Sequence, residues 1–329
     1  MKHRKAYFLL ICLLSFGFLF PAPRFRVAEA ATESKGECVV EVSSRRFLHE
    51  KNADLRLPMA STTKILTALV VLEEDNLDEI VTVPKEAEGT EGSSVYLKAG
   101  EEISVRDLLY GLMLRSGNDC AVTLALHHSG SIKRFADAMN EKAVSVGAVH
   151  SRFRNPHGLP DEEHYTTARD LALIASAAME NDTFREIVST KFYAPRSWQN
   201  KNKMLWNFDG ALGVKTGFTV RAGRCLVSSA ERNGMTLVSV VLNSPQMFER
   251  SEELLSDSFV SYSMTQLCSS EASYDGYRVL YGFSYPLTQS EIEKIRIENT
   301  LYDSQSEIAG TMKIYLENRL LFSQNLFMM

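Results

Sequence analysis

The chain has 329 residues, of which 45% are hydrophobic and 23% charged, a composition that supports a sizeable core and excludes a collagen, a low-complexity tail or a polytopic membrane protein. Its formal net charge is −5. Without residues 1–30, the remaining 31 bases and 40 acids give a net charge of −9. We therefore expect no nucleic-acid partner, because such a chain is a poor candidate for neutralising phosphates.

The first thirty residues have the three-part anatomy of a secretory signal peptide. Residues 2–5 are basic, residues 7–20 are almost wholly apolar, and residues 28–30 (AEA) supply a small-x-small cleavage pattern. The apolar run is shorter than the ~20 residues that a helix needs to span a bilayer. We expect residues 1–30 to be a signal peptide and the rest of the chain to act outside the cytoplasm; an uncleaved membrane anchor is the alternative.

Cysteine spacing indicates neither a zinc site nor a disulfide framework. Beyond the signal peptide the cysteines are Cys38, Cys120, Cys225 and Cys268, irregularly spaced and without a CxxC pair. Other potential ligands also lack metal-ligand spacing, so we expect no metal and no cofactor. An oxidising compartment would permit one disulfide bridge, and the sequence does not indicate which two cysteines would form it.

Periodicity predicts an α/β body. Residues 37–50 predict two short strands around a Ser-Ser turn, and residues 61–73 predict a helix with apolar residues at helical spacing. Ser104 is expected to cap a second helix. Further helices are predicted at 119–128, 132–146, 167–179 and 247–263, and strands at 214–217, 224–230 and 236–242.

The character of the sequence changes after residue 266. Residues 292–298 and 311–322 alternate apolar and polar side chains, and residues 317–319 predict a hairpin turn. We therefore expect three parts: a signal peptide at 1–30, the α/β body at 31–266 and a small β-rich domain at 267–329.

The first motif that carries chemistry is Ser61-Thr62-Thr63-Lys64. Serine is a weak nucleophile that needs a neighbouring base, and residues three apart on a helix share a face, so we expect the Lys64 amine beside the Ser61 hydroxyl. The field of the helix N-terminus and burial among apolar residues favour the neutral form of the lysine. Taken alone, the motif is better explained by a capping serine and a solvated lysine.

A second motif, Ser116-Gly117-Asn118, follows the second helix. A hydroxyl and a carboxamide two residues apart in a turn can face one cleft, where the serine would relay a proton and the asparagine would bind a substrate amide. The alternative is a helix-ending turn in which Asp119 caps the next helix. Alone, this motif is weaker than the first.

The third motif is Lys215-Thr216-Gly217, in a predicted strand. A cation next to a hydroxyl on a strand edge suits a carboxylate ligand, and the glycine allows another backbone to come close. An extended peptide would then pair along the strand. Alone, a strand-end turn with an exposed lysine explains the motif better.

Together, the three motifs occur in the order found in penicillin-binding proteins and class A β-lactamases. The segments PMASTTKILTALVVLE, LMLRSGNDCAVTLA, NPHGLPDEEHYTTARDLALIA and DGALGVKTGFTVRAGRCLVSSA strongly resemble the D-alanyl-D-alanine carboxypeptidase family of low-molecular-mass penicillin-binding proteins. The resemblance runs from about residue 37 to 263 and continues more faintly through TMKIYLENRLLFSQN. It implies a β-lactamase/transpeptidase-like α/β domain, with an antiparallel sheet and a helical cluster, followed by a small β-rich domain.

The resemblance also implies a role for each motif residue. Ser61 would be the acylated nucleophile and Lys64 its general base, and the carboxylate of the leaving D-alanine would meet Lys215 and Thr216. The N–H groups of Ser61 and Phe218 would form the oxyanion hole. The implied site residues are Ser61, Lys64, Ser116, Asn118, Lys215, Thr216, Gly217 and Phe218.

The resemblance implies partners and a location as well. The substrate would be a peptidoglycan stem peptide ending in D-Ala-D-Ala, and β-lactams would acylate the same serine. The enzyme would be exported to the extracytoplasmic face of the bacterial membrane or the cell wall. Association with a membrane surface stays open, because the chain ends at residues 327–329 without a basic amphipathic helix.

Three positions qualify the resemblance. Phe218 stands where some relatives carry His or Tyr, and Lys201 stands where some carry an arginine near the substrate carboxylate. A lysine lacks the bidentate fork of arginine, so its grip would be looser. His157 matches a histidine that borders the cleft of the family, and we expect it to be mainly structural.

Three alternative functions remain open from the sequence. A serine β-lactamase would need a glutamate to activate the deacylating water, and residues 155–167 offer Asp161, Glu162 and Glu163 without an E-x-x-L-N pattern. A D-Ala-D-Ala endopeptidase would use the same acyl-enzyme. A non-catalytic peptidoglycan-binding protein would not need the intact Ser61, Lys64 and Lys215.

Overall fold

The computed structural model describes residues 33–303 and 307–329, and the predicted signal peptide lies outside them. As far as residue 189, the elements are β1 Gly36–Glu41, β2 Phe47–Lys51, α1 Lys64–Glu74, β3 Ile80–Thr82, β4 Glu102–Ser104, α2 Val105–Tyr110, α3 Asn118–Ser129, α4 Ile132–Ser145, α5 Ala168–Met179 and α6 Asp182–Ser189. There follow β5 Phe192–Tyr193, β6 Trp198–Gln199, α7 Met204–Asn207, β7 Ala211–Thr219, β8 Gly223–Arg232, β9 Met235–Leu242 and α8 Met247–Ser261. The last elements are β10 Ser263–Cys268, β11 Ser273–Tyr274, β12 Tyr277–Arg278, β13 Phe283–Leu287, α9 Gln289–Ile292, β14 Ile295–Leu301, β15 Ile308–Leu316 and β16 Arg319–Met328.

Five antiparallel strands form the central sheet, in the spatial order β2-β1-β9-β8-β7. In β1 and β9, Gly36 lies opposite Leu242, and in β7 and β8, Gly217 lies opposite Cys225. Among the described strands, β7 forms one edge of this sheet, so the backbone groups on its outer side face away from β8. The third sequence motif lies on this edge strand.

The central sheet is buried on both faces. Along β1, Cys38 and Val40 pack into a core shared with α1 and α5, whereas Val39 packs into a second core with Leu254 and Leu255 of α8. Successive side chains of a strand point to opposite faces, so helices must cover both sides. In β9, residues that face the two cores, such as Val240 and Val241, are accordingly both apolar.

Residues after α8 form a β-rich domain. β10 pairs with β13, and a five-stranded sheet has the order β11-β12-β16-β15-β14. Strands β15 and β16, in which apolar and polar side chains alternate, form the predicted hairpin, and Leu316 pairs with Arg319 across its turn. A small core contains Val279, Met312 and Ile314. The predicted boundary between residues 266 and 267 falls within β10 and stays a prediction.

The structure differs from the predicted elements at the first two motifs. The helix predicted over residues 61–73 begins as an α-helix only at Lys64, because a 3₁₀ turn, Ala60–Thr63, precedes it. Asp119 does not cap α3: the N-cap is Gly117, and Asp119 lies in the first turn. The other helices predicted between residues 119 and 179 agree with α3, α4 and α5 to within one residue at each end.

Two further properties follow from residues 33–303 and 307–329. Within these ranges no helix combines the length and the apolar character needed to cross a membrane. The cysteines described there, Cys38, Cys120, Cys225 and Cys268, are all buried with free thiols.

Candidate active site

Ser61 lies in the 3₁₀ turn Ala60–Thr63, which the backbones of two glycines approach closely. Ala60 has a left-handed φ of 49°. A Cβ on Gly158 would overlap the carbonyl oxygen of Ala60, and a Cβ on Gly217 would lie 3.1 Å from Ser61 N. Glycine at both positions therefore allows the loop at 155–159 and strand β7 to pack against the backbone of the turn.

A histidine that the sequence analysis did not select supports this turn. Thr63 Oγ1 donates to Ala60 O at 2.9 Å, which uses its single hydrogen, so His164 Nε2 donates in its 2.8 Å contact with the same hydroxyl. His164 Nδ1 accepts from Arg154 N at 3.0 Å. These partners require a neutral ring, in agreement with burial, which lowers the pKa of His164 to about 4.

The Lys64 amine connects the first two motifs. Its Nζ atom lies 3.1 Å from Ser61 Oγ, 2.6 Å from Asn118 Oδ1 and 2.8 Å from His157 O. The lysine is fully buried. Burial, followed by the charge of Lys215, holds the pKa of Lys64 well below the usual range of a lysine.

The partners of Lys64 match the hydrogen-bonding capacity of a neutral amine, which has two N–H donors and one lone pair. The carbonyl oxygens of Asn118 and His157 can only accept, so they take both donors. The lone pair is left for the Ser61 hydroxyl, which can donate. The arrangement is therefore suited to a lysine that removes the proton of Ser61.

The second motif lies where two helical segments meet. A short π-helical segment, Gly111–Arg115, follows α2 and ends at Ser116, which has a left-handed φ of 65°. Asn118 begins α3, and its Nδ2 donates to Glu91 O at 2.5 Å. This bond fixes the amide so that Oδ1 faces Lys64, because the reverse orientation would place two oxygens together.

The third motif lies on the edge strand β7. Lys215 is only 2% exposed, and its Nζ donates to Thr216 O at 2.9 Å. Burial, and then the charge of Lys201, lowers the pKa of Lys215 to about 7. Phe218 is 63% exposed, and the guanidinium carbon of Arg224 lies 5.9 Å from the centre of its ring.

The three motifs surround a cleft of about 270 Å³. The lining residues are Ser61, Ser93, Ser116, Lys201, Thr216, Gly217, Phe218, Met247 and Phe248. Lys64 and Asn118 join this site through hydrogen bonds, whereas Lys215 lies behind the lining. The sequence motifs do not predict three of the lining residues, Ser93, Met247 and Phe248, which come from other segments and carry no pattern of their own.

Lysine side chains cluster at the cleft, although the chain as a whole has a net negative charge. Burial and the charge of Arg115 lower the pKa of Lys201, and Lys215 lies nearby. A positive cleft attracts an anionic ligand and raises its rate of association. Over the described ranges, no group of three or more His, Cys, Asp or Glu side chains is arranged to hold a metal ion.

Comparison with known proteins identifies the family. A family model described as D-alanyl-D-alanine carboxypeptidase matches residues 24–246. The chain belongs to the D-alanyl-D-alanine carboxypeptidase family. Membership makes it a serine-type carboxypeptidase and confirms the resemblance seen in the sequence.

Relatives of this carboxypeptidase family extend the comparison. The D-alanyl-D-alanine carboxypeptidase of Streptomyces sp. (strain K15) is 37% identical over 265 residues, which cover 73% of this chain and 91% of the relative. DacC of Escherichia coli, a D-alanyl-D-alanine carboxypeptidase, is 31% identical over an alignment of 361 residues, which covers 96% of this chain and 89% of DacC. Across the first curated relatives, the matched part covers 62% to 91% of their own length.

A solved structure supports the fold over nearly the whole chain. Penicillin binding protein 6B from Escherichia coli has a TM-score of 0.76 at 26% sequence identity, covering 92% of this chain and 98% of that chain. This likeness confirms the predicted fold class, a transpeptidase-like domain followed by a β-rich domain.

Proposed function

We propose that this enzyme removes the terminal D-alanine from peptidoglycan stem peptides through an acyl-enzyme on Ser61. The observation that carries the proposal is the set of contacts of Lys64, whose buried amine has two acceptors and the Ser61 hydroxyl within 3.1 Å. Family membership supplies the reaction class.

In the first step, Ser61 Oγ attacks the carbonyl carbon between the two D-alanines while Lys64 takes the hydroxyl proton. The tetrahedral intermediate then breaks the C–N bond, and the amine of the terminal D-alanine receives a proton and leaves. Ser116, which lines the cleft, would relay this proton from Lys64. Water hydrolyses the ester in the second step and regenerates Ser61.

We assign the oxyanion hole to the N–H groups of Ser61 and Phe218. The close approach of Gly217 to Ser61 N supports this assignment, because it places β7 against the nucleophile turn. Two fixed amides then stabilise the charge that develops on the carbonyl oxygen. Asn118 would bind the amide of the substrate on the other wall of the cleft.

We assign recognition of the terminal carboxylate to Thr216, Lys201 and Lys215. Thr216 and Lys201 line the cleft and offer a hydroxyl and an ammonium. Lys215 lies behind them and contributes its charge. The same groups would hold the carboxylate of a β-lactam, so β-lactams should acylate Ser61.

We further propose that residues 1–30 export the chain, that residues 31–266 form the catalytic domain, and that residues 267–329 form the β-rich domain. The signal-peptide anatomy supports export, and a substrate in the cell wall requires it. The enzyme would then act at the extracytoplasmic face of the membrane or in the wall.

The loop at 155–167 favours the carboxypeptidase over a β-lactamase. A class A β-lactamase needs a glutamate that activates water at the acyl-enzyme. Here Asp161, Glu162 and Glu163 are exposed, and Glu163 pairs with Arg152 at 3.0 Å. An endopeptidase would share the acyl-enzyme, and hydrolysis of a cross-linked dimer against a D-Ala-D-Ala pentapeptide distinguishes the two.

The decisive experiment is to map the adduct of a labelled penicillin. Mass spectrometry of a digest should find the label on Ser61 alone, and Ser61→Ala should abolish it. The wild type should also release D-alanine from a D-Ala-D-Ala peptide. An adduct on Ser116, or none at all, would contradict the assignment.

A further inference from the structure

A buried acid next to Asn118 holds one wall of the cleft. Asp119 is 1% exposed and lies in the first turn of α3. Its Oδ2 accepts from Ser94 Oγ at 2.6 Å, Val95 N at 3.1 Å and Leu97 N at 3.1 Å. Residues 91–97, here called the wall loop, contain no helix or strand, so this carboxylate replaces contacts that secondary structure would supply.

The wall loop is also bonded to Asn118. Asn118 N donates to Ser93 O at 2.7 Å, and Asn118 Nδ2 donates to Glu91 O at 2.5 Å. A Cβ on Gly92 would lie 2.8 Å from Asn118 Nδ2, so the loop follows the amide closely. The opposite end of that amide, Oδ1, contacts Lys64 Nζ. A displacement of the wall loop would therefore move Asn118 and change its contact with Lys64, the proposed base.

Asp119 also determines which residue can occupy the middle of the second motif. A Cβ on Gly117 would lie 2.8 Å from Asp119 Oδ1 and 2.9 Å from Cys120 Sγ. Oδ1 itself accepts from Val95 N at 3.2 Å and from Cys120 N at 3.0 Å. Both carboxylate oxygens thus face N–H or O–H donors, and the glycine leaves room for them.

We propose that Asp119 is a positioning residue for acyl transfer, which keeps Asn118 against the Lys64 amine by fixing the wall loop. Asp119 acts through its neighbours and takes no proton. The inference rests on the proposed roles of Ser61 and Lys64, because acylation is its readout. It assigns a task to a residue outside the three motifs.

The test is the substitution Asp119→Asn, measured by rapid mixing with a fluorescent penicillin. The asparagine keeps the size of the side chain, but either orientation of its amide turns an NH₂ group toward donors of the wall loop or of α3. We expect the acylation rate constant to fall about 10- to 100-fold, because charge-assisted hydrogen bonds are lost. The dissociation constant of the initial complex should stay within about threefold of the wild-type value, which a general loss of structure would not produce.

Asp170 provides a matched control. It is also 1% exposed and lies in the first turn of α5, where its carboxylate accepts from His150 N and Ser151 Oγ, each at 2.7 Å. Asp170→Asn therefore makes the same chemical change at a second loop-holding acid. We expect it to lower thermal stability comparably while leaving the acylation rate constant within about threefold of the wild-type value.

A second variant keeps the proposal testable if Asp119→Asn does not fold. Ser94→Ala removes one donor and leaves the carboxylate, and it should lower the acylation rate constant about 3- to 10-fold. Wild-type rates in whichever of these two variants folds, or an equal loss in Asp170→Asn, would overturn the proposal. Failure of the wild type itself to form an adduct would instead refute the role of Ser61, so the two failures are distinguishable.

Discussion

Strand β7 approaches the nucleophile turn closely at Gly217, and Gly217→Ala tests the importance of this approach. An added Cβ would lie 3.0 Å from Met59 O, 3.1 Å from Ser61 N and 3.2 Å from the Cβ of Ala60. Ordinary contacts begin near 3.4 Å, so strand and turn must separate by a few tenths of an ångström. The neighbours are mostly backbone atoms, and the backbone of Gly158 already packs against the turn, so neither side yields easily.

The separation should affect catalysis more than folding. Oxyanion donors work only within about 2.7–3.1 Å of the oxygen, and losing one of them costs about 100- to 1,000-fold in rate. We expect Gly217→Ala to lower the rate constant of acylation by a β-lactam about 10- to 1,000-fold, with full loss of one donor as the upper limit. Overpacking of this kind should lower the free energy of unfolding by about 1–3 kcal/mol.

Stopped-flow acylation and urea unfolding give the two quantities separately. Gly282→Ala is the matched control, because its Cβ would lie at an ordinary 3.4 Å from Cys268 O in the β-rich domain. It should leave acylation unchanged. If Gly217→Ala unfolds more easily but acylates within about threefold of the wild-type rate, displacing β7 does not weaken stabilisation of the oxyanion, and the assignment of the Phe218 N–H group is wrong.

Three other predictions concern the base, the carboxylate and the turn. Lys64→Ala should lower the acylation rate constant by about 100- to 10,000-fold or more, with an unchanged circular dichroism spectrum. Near-normal acylation would require another base. The wild type should prefer a D-Ala-ended peptide over its D-alaninamide analogue by roughly 10- to 150-fold in kcat/KM. Lys201→Gln and Lys215→Gln should each reduce that preference, Lys201→Gln more strongly because Lys201 lines the cleft, and retention of the full preference in both would place the carboxylate elsewhere. His164 has a pKa of about 4 when folded and near 6.5 when unfolded, so its contribution to stability is complete above about pH 6.5 and is lost as the pH falls toward 4. In urea unfolding, His164→Gln should lose less stability than the wild type as the pH falls from about 6.5 to 4. An identical pH dependence of stability in the variant and the wild type would contradict the neutral ring.

The sequence predicted the strands of the central sheet and its main helices, but not β3 to β6, α6, α7 or β10 to β13. Helices α3, α4 and α5 lie within one residue of their predicted bounds, and strands β7, β8 and β9 contain the residues predicted to be strands. The S-x-x-K spacing predicted Lys64 beside Ser61 correctly, although Ser61 lies in a 3₁₀ turn and not in an α-helix.

The remainder of the site depends on tertiary packing that local patterns do not encode. The turn at Ala60 is held by Gly158 and Gly217, which are far away in sequence, and the sequence gives no signal that they meet. His164 has no motif, and its role follows only from its contacts with Thr63 and Arg154. Asp119 resembles a helix cap in the sequence, but in the structure its carboxylate faces a loop that no periodicity predicted.

The charges of the site lysines lower one another's pKa values. Lys201 lowers the pKa of Lys215, and Lys215 lowers that of Lys64, in both cases in addition to burial. A substrate carboxylate bound at Thr216 and Lys201 would offset this positive field and raise the pKa of Lys64. A higher pKa makes the neutral amine a stronger base. The base would therefore become stronger when the correct end of the peptide is bound.

If the charges are coupled in this way, the substrate carboxylate affects the acylation step as well as binding. A D-alaninamide substrate brings no negative charge, so it should react with a lower acylation rate constant as well as bind more weakly. In Lys215→Gln the acylation rate constants of acid and amide substrates should become more similar, because one of the charges that the carboxylate offsets is gone. If the two substrates differ only in their binding constants, in the wild type and in the variant alike, the field of Lys215 does not act on Lys64 during acylation.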